Sequence, residues 1–572
     1  MHRSPLRKVR RRTGPRLAGF ASLLLAITGM LLPATAHATA GAPAAAGPMR
    51  FLAAMQPGWG LSNTFDAIPD PTSWGNPPVT KALIDQVRSD GFHSIRIPVT
   101  WGGHEGAAPS YTIDPAFMNQ VKQAVDWSLS DGLYVVLDVH HDSWQWISNM
   151  AGDPTGVLAR FDATWTQIAD TFKAESDKLV FESVNEPQFT NTTDTQAEAL
   201  LDQLNTAFSH LIRATGSTNT HRYLLLPTLG DTPTKPLMDS LLNTIETLHD
   251  PDVIASFHYY GYWPFAVNIA GATTFDTTAQ QDMTTDYQLA HDEFITKGIP
   301  VCACEVGLLG YDYTKPGVIE RGETLKYFEA LGDESRSTGI PTDYWDSYIN
   351  RATLQPRDPD LFAQIQSSWR ASSGTASSDM VFLPQASPIA AHSLTLNLNG
   401  DTFTGLTQGD VRLAQGRDYT VSGDQLTLTA SLLTRLAGNG PTGPNATLQA
   451  HFSHGLPWQI SVIVSSQPTL AAATGSTSSF AVPTRFNGDI LSTMQAQYAD
   501  GSNAGPANWT SYLEYSTAFA ADYANGNTTL TSAFFDSLTD GAKVTLTFHF
   551  WSGATATYYV TKNGTAVTGT TS

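Results

Sequence analysis

The feature that most constrains the fold is a regular alternation, along residues 55–369, of short apolar runs with longer amphipathic stretches. The apolar runs have the length of buried strands, and a helical stretch separates each from the next. They are Ser94–Val99, Tyr134–His140, Leu179–Asn185, Tyr223–Pro227, Val253–Tyr259, Pro300–Val306 and Thr342–Tyr348. A further strand near Gln56–Leu61 brings the set to eight.

Seven helical stretches lie between the eight strands. They are Val79–Asp90, Pro115–Asp131, Gly156–Glu175, Gln196–Ala214, Lys235–His249, Thr278–Lys297 and Gly317–Thr338. This pattern predicts an α/β fold, a (β/α)8 TIM barrel that occupies about residues 50–370. An open doubly wound sheet is the alternative, but no phosphate-cradling glycine loop follows the first strand.

The composition changes after the barrel. Residues 371–379 are rich in Ser, Ala and Gly, which is typical of a linker. Beyond them the helical period stops, and runs such as Leu394–Leu398 alternate like half-buried strands before the turn dipeptide Asn399-Gly400. We expect a small all-β module, a β-sandwich, over residues 380–470.

A second all-β module is expected at the C-terminal end. Residues 471–479 look like another spacer, and residues 480–567 then carry strand-like alternation. Lys543–Trp551 and Ala554–Thr561 form a predicted hairpin that turns at Ser552-Gly553. We expect a second β-sandwich there.

The first 38 residues have the plan of a secretory signal. Seven basic residues precede an apolar run from Leu17 to Leu32, and Ala36-His37-Ala38 offers a small-x-small cleavage site. The apolar run is short for a membrane span. We therefore expect a secreted, extracellular protein that does not enter a membrane, with the Sec and twin-arginine export routes both open.

The net charge and the composition disfavour some classes of binding partner and favour others. The formal net charge is −20, so nucleic acid and anionic lipid would repel the chain. Charged residues are only 15% of the sequence, whereas Trp and Tyr number 13 and 19. Flat aromatic rings can stack on the apolar face of a sugar, so this composition favours a neutral, hydroxyl-rich ligand.

The only two cysteines are Cys302 and Cys304. At positions i and i+2 of a strand they share one face, and a bridge between them would depart from ordinary disulfide geometry. We expect two buried thiols. Neither a disulfide framework nor a zinc-type cluster is indicated.

Two glutamates are the strongest candidates for chemistry. Glu186 stands in Asn185-Glu186-Pro187 after one predicted strand, and Glu305 ends another. In a barrel the C-terminal ends of all strands open on the same face, so the two carboxyl groups can meet across its mouth. Glycoside hydrolysis needs such a pair, one to protonate the leaving oxygen and one to attack or to activate water.

Other polar and aromatic residues also fall at strand ends. This placement predicts that they surround the two glutamates, although any one of them could equally be structural. They are Arg96, His140, His141, His258, Tyr260 and Trp345.

Three motifs resemble those of glycoside hydrolase family 5, in detail its subfamily 4. They are Trp59-Gly60-Leu61-Ser62-Asn63-Thr64-Phe65-Asp66-Ala67, Trp74-Gly75-Asn76-Pro77-Pro78-Val79-Thr80 and Ile95-Arg96-Ile97-Pro98-Val99-Thr100-Trp101. The resemblance covers about residues 50–370. Gly60 and Ser62 depart from it, since Asn and Gly are usual there.

The resemblance implies a role for each matching residue. Glu186 would be the general acid/base and Glu305 the nucleophile of a retaining enzyme, which places their carboxyl groups about 5–5.5 Å apart. The pKa of Glu186 should be raised, and Arg96 should keep Glu305 ionised. Asn185 would bind the sugar 2-hydroxyl. The remaining substrate-binding or orienting residues would be Asn63, His140, His141, His258, Tyr260 and Trp345. No metal or other cofactor is implied.

The C-terminal region resembles known modules as well. Residues 380–470 are similar to the immunoglobulin-like spacer of such enzymes, and residues 480–567 resemble carbohydrate-binding module family 46 through Thr547–Gly553. Trp509 and Trp551 are its candidate aromatic anchors. Three more candidate sugar platforms, with loop or core packing as the alternative, follow barrel strands: Trp144, Trp146 and Trp263.

The function expected is endo-acting hydrolysis of β-1,4-glucans of the plant cell wall, namely cellulose-like, mixed-linkage or xyloglucan chains, by a monomer. A β-mannanase or xylanase would use the same carboxylates, and only the loops distinguish them. A non-catalytic glycan-binding protein is the alternative from another class, and the presence of both glutamates argues against it.

Overall fold

The computed structural model describes residues 47–315, 317–345, 348–386, 388–438 and 440–572. The predicted signal peptide, residues 1–38, lies outside the described residues. Within those ranges, no helix combines the length and the apolar character that crossing a bilayer requires.

The predicted barrel is confirmed. Eight parallel strands pair in sequence order, and the first pairs with the last to close the sheet. They are β1 Gly58–Gly60, β2 Ser94–Ile97, β3 Tyr134–Asp138, β4 Leu179–Glu182, β5 Leu224–Pro227, β6 Val253–Tyr259, β7 Val301–Val306 and β8 Thr342–Trp345. Nearly every strand residue is buried, as expected of a sheet covered on its outer face by helices.

The helices that cover the barrel match the predicted stretches closely. They and the shorter helices among them are α1 Pro48–Met55, α2 Lys81–Ser89, α3 Pro115–Ser130, α4 Asp142–Gln145, α5 Pro154–Phe172, α6 Asp194–Ala214, α7 Lys235–Leu248, α8 Trp263–Ala266, α9 Thr277–Glu293, α10 Arg321–Thr338 and α11 Pro359–Ser368.

Side-chain caps fix where several of these helices begin. Asp114, Asp153 and Asp358 each accept a backbone N–H of the first turn, and a proline follows each of them. Thr193 and Gln196 form a reciprocal capping box at α6. Such caps satisfy backbone donors that a helix start would otherwise leave unpaired.

Strand β7 contains one extra residue relative to both neighbours. Ala303 pairs with Phe257 of β6, but the next β6 residue, His258, pairs with Glu305. The register with β8 shifts over the same residues. A bulge of this kind redirects side chains, and here it lies directly before Glu305.

The prediction of free thiols was wrong. Cys302 and Cys304 are joined by a disulfide, with their Cα atoms 5.2 Å apart. The bulge places Cys304 between the paired residues Ala303 and Glu305, which regular strand geometry did not anticipate. Both cysteines are buried in a small cluster with Leu52 and Met55 of α1, the helix that precedes the first strand.

The second module begins inside the predicted linker, because its first strand is Thr375–Ala376. Its strands form a four-stranded and a five-stranded sheet around one apolar core, and helix α12 Ala430–Ala437 joins that core. After the short pair β9 Ile349–Asn350 and β10 Gln355–Pro356, the strands are β11 Thr375–Ala376, β12 Met380–Pro384, β13 His392–Asn397, β14 Phe403–Gln408, β15 Val411–Arg412, β16 Tyr419–Ser422, β17 Gln425–Leu428, β18 Gly443–Phe452 and β19 Trp458–Ser465.

The third module is also all-β, and its strands are hydrogen-bonded into one nine-stranded sheet. The strands, with helix α13 Ser532–Asp536, are β20 Thr469–Leu470, β21 Ala473–Ser476, β22 Ser479–Arg485, β23 Leu491–Tyr498, β24 Phe519–Asp522, β25 Asn527–Thr531, β26 Lys543–Phe550, β27 Thr555–Asn563 and β28 Ala566–Thr570. Residues 471–479, expected as a spacer, instead supply β21, which pairs with β28.

The third module packs against the loop that follows β6. Asn268 of that loop donates its side-chain N–H to the Ser492 carbonyl at 2.9 Å, and its backbone carbonyl accepts the Tyr515 N–H at 3.1 Å. Tyr512 lies against Gly271, where a Cβ would come within 3.0 Å of its ring. Because the loop leaves the C-terminal end of a strand, the module sits at the mouth of the barrel.

The second module meets the barrel at α10. Asp379, directly before β12, lies against Gly322, where an added Cβ would be 2.5 Å from the Asp379 carboxyl carbon. Glu320 caps the same helix and accepts the Glu323 N–H at 3.1 Å. Burial, and then the neighbouring carboxyl of Asp379, raise the pKa of Glu320 to about 8.

We expect Glu320→Gln to stabilise the protein relative to wild type at pH 8 more than at pH 5. A carboxyl with a raised pKa binds more protons in the folded than in the unfolded state. The free energy of unfolding therefore falls as the pH rises from its ordinary pKa of 4.5 to about 8. Glutamine stays neutral throughout and avoids this loss, which should exceed about 1 kcal/mol.

Urea denaturation at the two pH values measures the difference between the variants. The exposed Glu246→Gln change is the control, and its effect should be the same at both. An equal effect of Glu320→Gln at pH 5 and pH 8 would contradict the interpretation.

Candidate active site

The two predicted glutamates meet at the mouth of the barrel. Glu186 lies four residues beyond the end of β4, and Glu305 lies near the end of β7. An oxygen of each and a ring nitrogen of His258 all lie within 4.8 Å of one another. The Glu305 side chain is 8% exposed, whereas 43% of the Glu186 side chain is open to the cleft.

A single buried cation organises the floor of this site. The Arg96 guanidinium, on β2, binds both oxygens of Glu182 at 2.7 and 3.1 Å and one oxygen of Glu305 at 2.7 Å. It also contacts Asp138 at 2.9 Å and donates to the Asn185 side-chain oxygen at 2.7 Å. The planar guanidinium can satisfy this many acceptors because it carries five donors.

Arg96 and the carboxyl groups around it shift one another's pKa values. Although burial opposes it, the carboxylates led by Glu182 and Asp138 raise the pKa of Arg96 well above its usual value. Burial raises the pKa of Asp138 to about 7 against the opposing charge of Arg96. A buried charge is tolerated only when it is paired and hydrogen-bonded, and Arg96 provides the pairing.

Tyr260 and His258 hold the two glutamates from the other side. The Tyr260 hydroxyl donates to Glu305 Oε1 at 2.5 Å, so each Glu305 oxygen has a donor of its own. His258 Nδ1 lies 3.2 Å from Glu186 Oε1 and 3.9 Å from Glu305 Oε1. Burial lowers the pKa of His258 to about 4, so the ring is neutral near pH 7.

Burial raises the pKa of both glutamates above the ordinary value. Arg96 and His141 oppose the rise at Glu186. At Glu305 the opposing groups are His258, Arg96 and the Tyr260 hydroxyl. The raised pKa of Glu186 agrees with the expectation, whereas burial raises the pKa of Glu305 too. The direct donors to Glu305, Arg96 and Tyr260, are what favour its charged form.

The other residues predicted for the site lie around the two glutamates, and they differ in how deeply they are buried. His140 Nδ1 lies 2.7 Å from Asp138, and its ring is parallel to that of Trp345 at 5.6 Å. Asn185 is held by Arg96 as described above. Asn63 lies in the loop after β1, where its carbonyl accepts the Asn76 side-chain N–H at 2.9 Å.

His141 belongs to an aromatic group beside the pair rather than to the charged floor. Its ring lies 5.5 Å from those of both Trp74 and Trp144, two exposed side chains. Trp144 donates its indole N–H to His141 Nδ1 at 3.0 Å. Trp74 was not singled out from the sequence, although its motif had marked the loop.

The remaining candidate platforms have different surroundings. Trp146 is only half-exposed, its N–H is bound by Asp142 at 2.7 Å, and the Arg160 guanidinium lies 4.3 Å from its ring. Trp263, after β6, and Trp509, of the third module, are both exposed, and their rings lie 6.1 Å apart. Trp551 is half-buried after β26.

Four buried acidic residues beneath the site were not predicted from the sequence. Each lies in or after a strand whose other residues are mostly apolar, and an acidic residue inside such a run was the available signal. Among the described residues they are Asp138, Glu182, Asp231 and Asp343.

Among the residues that the structure describes, three groups of carboxylate and histidine side chains bring donor atoms within 4.8 Å of one another. The third is Glu186 with His258 and Glu305. The other two, Asp66 with His140 and His141 and Glu182 with Asp231 and His258, flank it. Members of each group also make hydrogen bonds or ion pairs within the protein: Glu182 with Arg96, His140 with Asp138, and His258 with Glu186.

The arrangement suits acid–base and nucleophilic chemistry at one atom. One carboxyl group with a raised pKa opens to the cleft, and a second, bound by a guanidinium and a phenol, lies close behind it. One oxygen of each carboxyl group lies within 4.8 Å of the other, closer than the roughly 6.5–9.5 Å between carboxyl groups that leaves room for a water in inverting enzymes.

Comparison with protein families divides the chain into three. Residues 59–351 match the family described as cellulase, glycosyl hydrolase family 5. Residues 375–462 match carbohydrate binding domain X2, and residues 466–570 match the carbohydrate binding domain CBM46.

Individual proteins match along nearly the whole chain. Endoglucanase B of Paenibacillus lautus is 46% identical over 558 residues, which cover 96% of this chain and 98% of that protein. The solved tri-modular endo-β-1,4-glucanase B of Bacillus halodurans is 43% identical, with a TM-score of 0.89 over 92% of this chain and 99% of that one. A tri-modular subfamily 4 endo-β-1,4-glucanase of Bacillus licheniformis, complexed with cellotetraose, is 31% identical with a TM-score of 0.78, covering 90% and 99%.

Proposed function

The chain belongs to glycosyl hydrolase family 5 and is an endo-β-1,4-glucanase, and we propose that it works by double displacement between Glu186 and Glu305. The observation that carries this proposal is the close approach of the two carboxyl groups, within 4.8 Å through their oxygens. That spacing favours a retaining mechanism.

In the first step, a Glu305 oxygen attacks the anomeric carbon while the Glu186 carboxyl gives its proton to the leaving glycosidic oxygen. A covalent glycosyl–Glu305 ester forms, and the bond to the leaving sugar breaks. In the second step, Glu186 takes a proton from water, the water oxygen attacks the same carbon, and Glu305 leaves as a carboxylate. The configuration at that carbon is retained.

The surroundings of the pair support this division of roles. Glu305 accepts hydrogen bonds from Arg96 and Tyr260, which favour its charged form, and an ionised carboxylate is the nucleophile that the first step needs. Glu186 is the more open carboxyl and can reach a glycosidic oxygen in the cleft. Its raised pKa suits a group that must carry a proton.

Further residues line the subsite where the bond breaks. His140 and Trp345 form a stacked pair there, and we propose that Trp345 packs under the sugar ring. Asn185, fixed by Arg96, would donate its amide to the 2-hydroxyl. Asn63, His141 and His258 would bind or orient other parts of the substrate and the acid.

The glycan we propose is a β-1,4-glucan of the plant cell wall, met outside the cell by the secreted, mature chain. The names of the similar enzymes support a β-1,4-glucan over a mannan or xylan. The carboxylate pair disfavours a purely glycan-binding protein. Hydrolysis rates on carboxymethylcellulose, lichenan, xyloglucan, mannan and xylan discriminate among these alternatives.

Xyloglucan is the specific substrate that we propose for the cleft shared with the third module. Trp263 of the barrel and Trp509 of that module face each other across the boundary, and both present ring surface to solvent. Two platforms on different modules can hold a wide, branched chain better than a single groove can. We further propose that the protein works as a monomer.

We expect Glu305→Ala to abolish the release of reducing sugar from carboxymethylcellulose, because the ester cannot form. Glu186→Ala should lower kcat by about 10²–10⁴-fold. With 2,4-dinitrophenyl β-cellobioside, whose leaving group needs no proton, added azide should restore part of the turnover of Glu186→Ala as a β-glycosyl azide, since an anion needs no general base to attack the ester. The exposed Glu246→Ala change is the control. Full activity in Glu305→Ala would refute the assignment.

We expect Trp509→Ala to lower kcat/KM on xyloglucan by about tenfold, in line with 1–3 kcal/mol for a lost stacking ring. Activity on cellopentaose, a short unbranched chain, should change less than twofold. Tyr523→Ala, which removes another exposed ring of the same module, is the matched control. Equal losses on both substrates, or none on xyloglucan, would contradict the shared cleft.

A further inference from the structure

Asp231 is a fully buried carboxyl group that the proposed mechanism does not use. It lies in the tight turn after β5, where its own N–H binds the Thr228 carbonyl at 2.9 Å and its backbone φ is 49°. The Thr228 hydroxyl closes the turn on the Thr232 carbonyl at 3.0 Å. The position of Asp231 is therefore fixed by the backbone around it.

Two hydrogen bonds join this turn to the segment that carries the proposed acid, Glu186. Asp231 Oδ2 accepts the Glu186 N–H at 2.7 Å, and the Gly230 N–H binds the Pro187 carbonyl at 2.9 Å. Glu186 itself has a φ of 40°, a left-handed conformation that side-chain-bearing residues adopt only when their surroundings impose it. The two hydrogen bonds from the turn supply that constraint.

Asp231 also borders the side-chain partner of Glu186. His258 Nε2 lies 3.8 Å from Asp231 Oδ2, and His258 Nδ1 lies 3.2 Å from Glu186 Oε1. Both the backbone of Glu186 and the ring beside its carboxyl group thus meet the same aspartate. Asp231 thus supplies the side-chain acceptor for the Glu186 N–H.

We propose that Asp231 is a positioning residue for the general acid/base, holding the Glu186 main chain so that its carboxyl group reaches the leaving oxygen. The inference rests on the proposed function of Glu186. It concerns steps in which a proton is given or taken, and it assigns Asp231 no contact with substrate.

The groups around Asp231 disfavour its ionised form. Burial, and then the nearby carboxyls of Glu182 and Glu186, raise its pKa well above the usual range, with Arg96 as the opposing charge. His258, the other titratable group that faces it, is neutral near pH 7. A carboxyl oxygen of Asp231 can accept the Glu186 N–H whether or not the group carries a proton.

The test compares two aryl glycosides that share one glycone. Phenyl β-cellotrioside has a basic leaving group that needs a proton, whereas 2,4-dinitrophenyl β-cellotrioside releases a stable anion that does not. Because kcat/KM reports the step in which the aryl group leaves, the ratio of the two values isolates acid assistance. A general loss of folding or of nucleophile would lower both values together.

For Asp231→Ala we expect kcat/KM on the phenyl glycoside to fall about tenfold or more, because misplacing a catalytic group by about 1 Å costs up to 10²-fold. The dinitrophenyl glycoside should change less than twofold. The matched control is Asp418→Ala in the second module, a buried aspartate that likewise accepts a backbone N–H, from Ala414 at 2.9 Å. It should leave the ratio unchanged.

Asp231→Asn tests the same contact if the alanine variant does not fold. Its side-chain oxygen can still accept the Glu186 N–H, so both glycosides should be cleaved within about threefold of wild type. An equal fall on both glycosides in Asp231→Ala, or a tenfold loss on the phenyl glycoside in Asp231→Asn, would overturn the proposal. A wild-type enzyme that cleaved neither glycoside would instead contradict the proposed function.

Discussion

The site depends on one buried guanidinium. Arg96 is 1% exposed and lies among three carboxylates, those of Glu182, Asp138 and Glu305. Removing one partner of such a buried group costs about 3–5 kcal/mol, because the other charges are left unpaired. The strands that carry these residues, β2, β3, β4 and β7, must therefore stay in register for the charges to balance. The same register carries Glu305 to the mouth of the barrel.

From this floor the site extends outward in layers of decreasing burial. Fixed charges lie deepest, the neutral His258 and the Tyr260 phenol come next, and Glu186 opens to the cleft. Aromatic rings lie beyond, on loops and on the third module, which is joined to the barrel through Asn268 and Tyr512. The charged groups thus lie on or next to rigid strands, whereas the exposed aromatic rings lie on loops of two modules.

The periodic pattern predicted the barrel, and strand ends with motif resemblance led to Glu186 and Glu305. Other features need three-dimensional contacts. An acidic residue in an apolar run, such as Glu182, has no explanation in the sequence alone, because its partner Arg96 is identified only from the fold. The Cys302–Cys304 bridge depends on a bulge that strand periodicity does not encode. Likewise, the sequence does not distinguish Trp146 from Trp263. In the structure the Arg160 guanidinium lies over the Trp146 ring, whereas the Trp509 ring lies beside that of Trp263.

The central claim is that Glu305 becomes covalently attached to the sugar and Glu186 does not. Trapping tests it most directly: incubation with 2,4-dinitrophenyl 2-deoxy-2-fluoro-β-cellobioside slows breakdown of the ester, and mass spectrometry of peptides then locates the label. The account predicts one fluorocellobiosyl group per chain, on the peptide that contains Glu305. A label on Glu186, or rapid turnover with inverted product and no label, would contradict it.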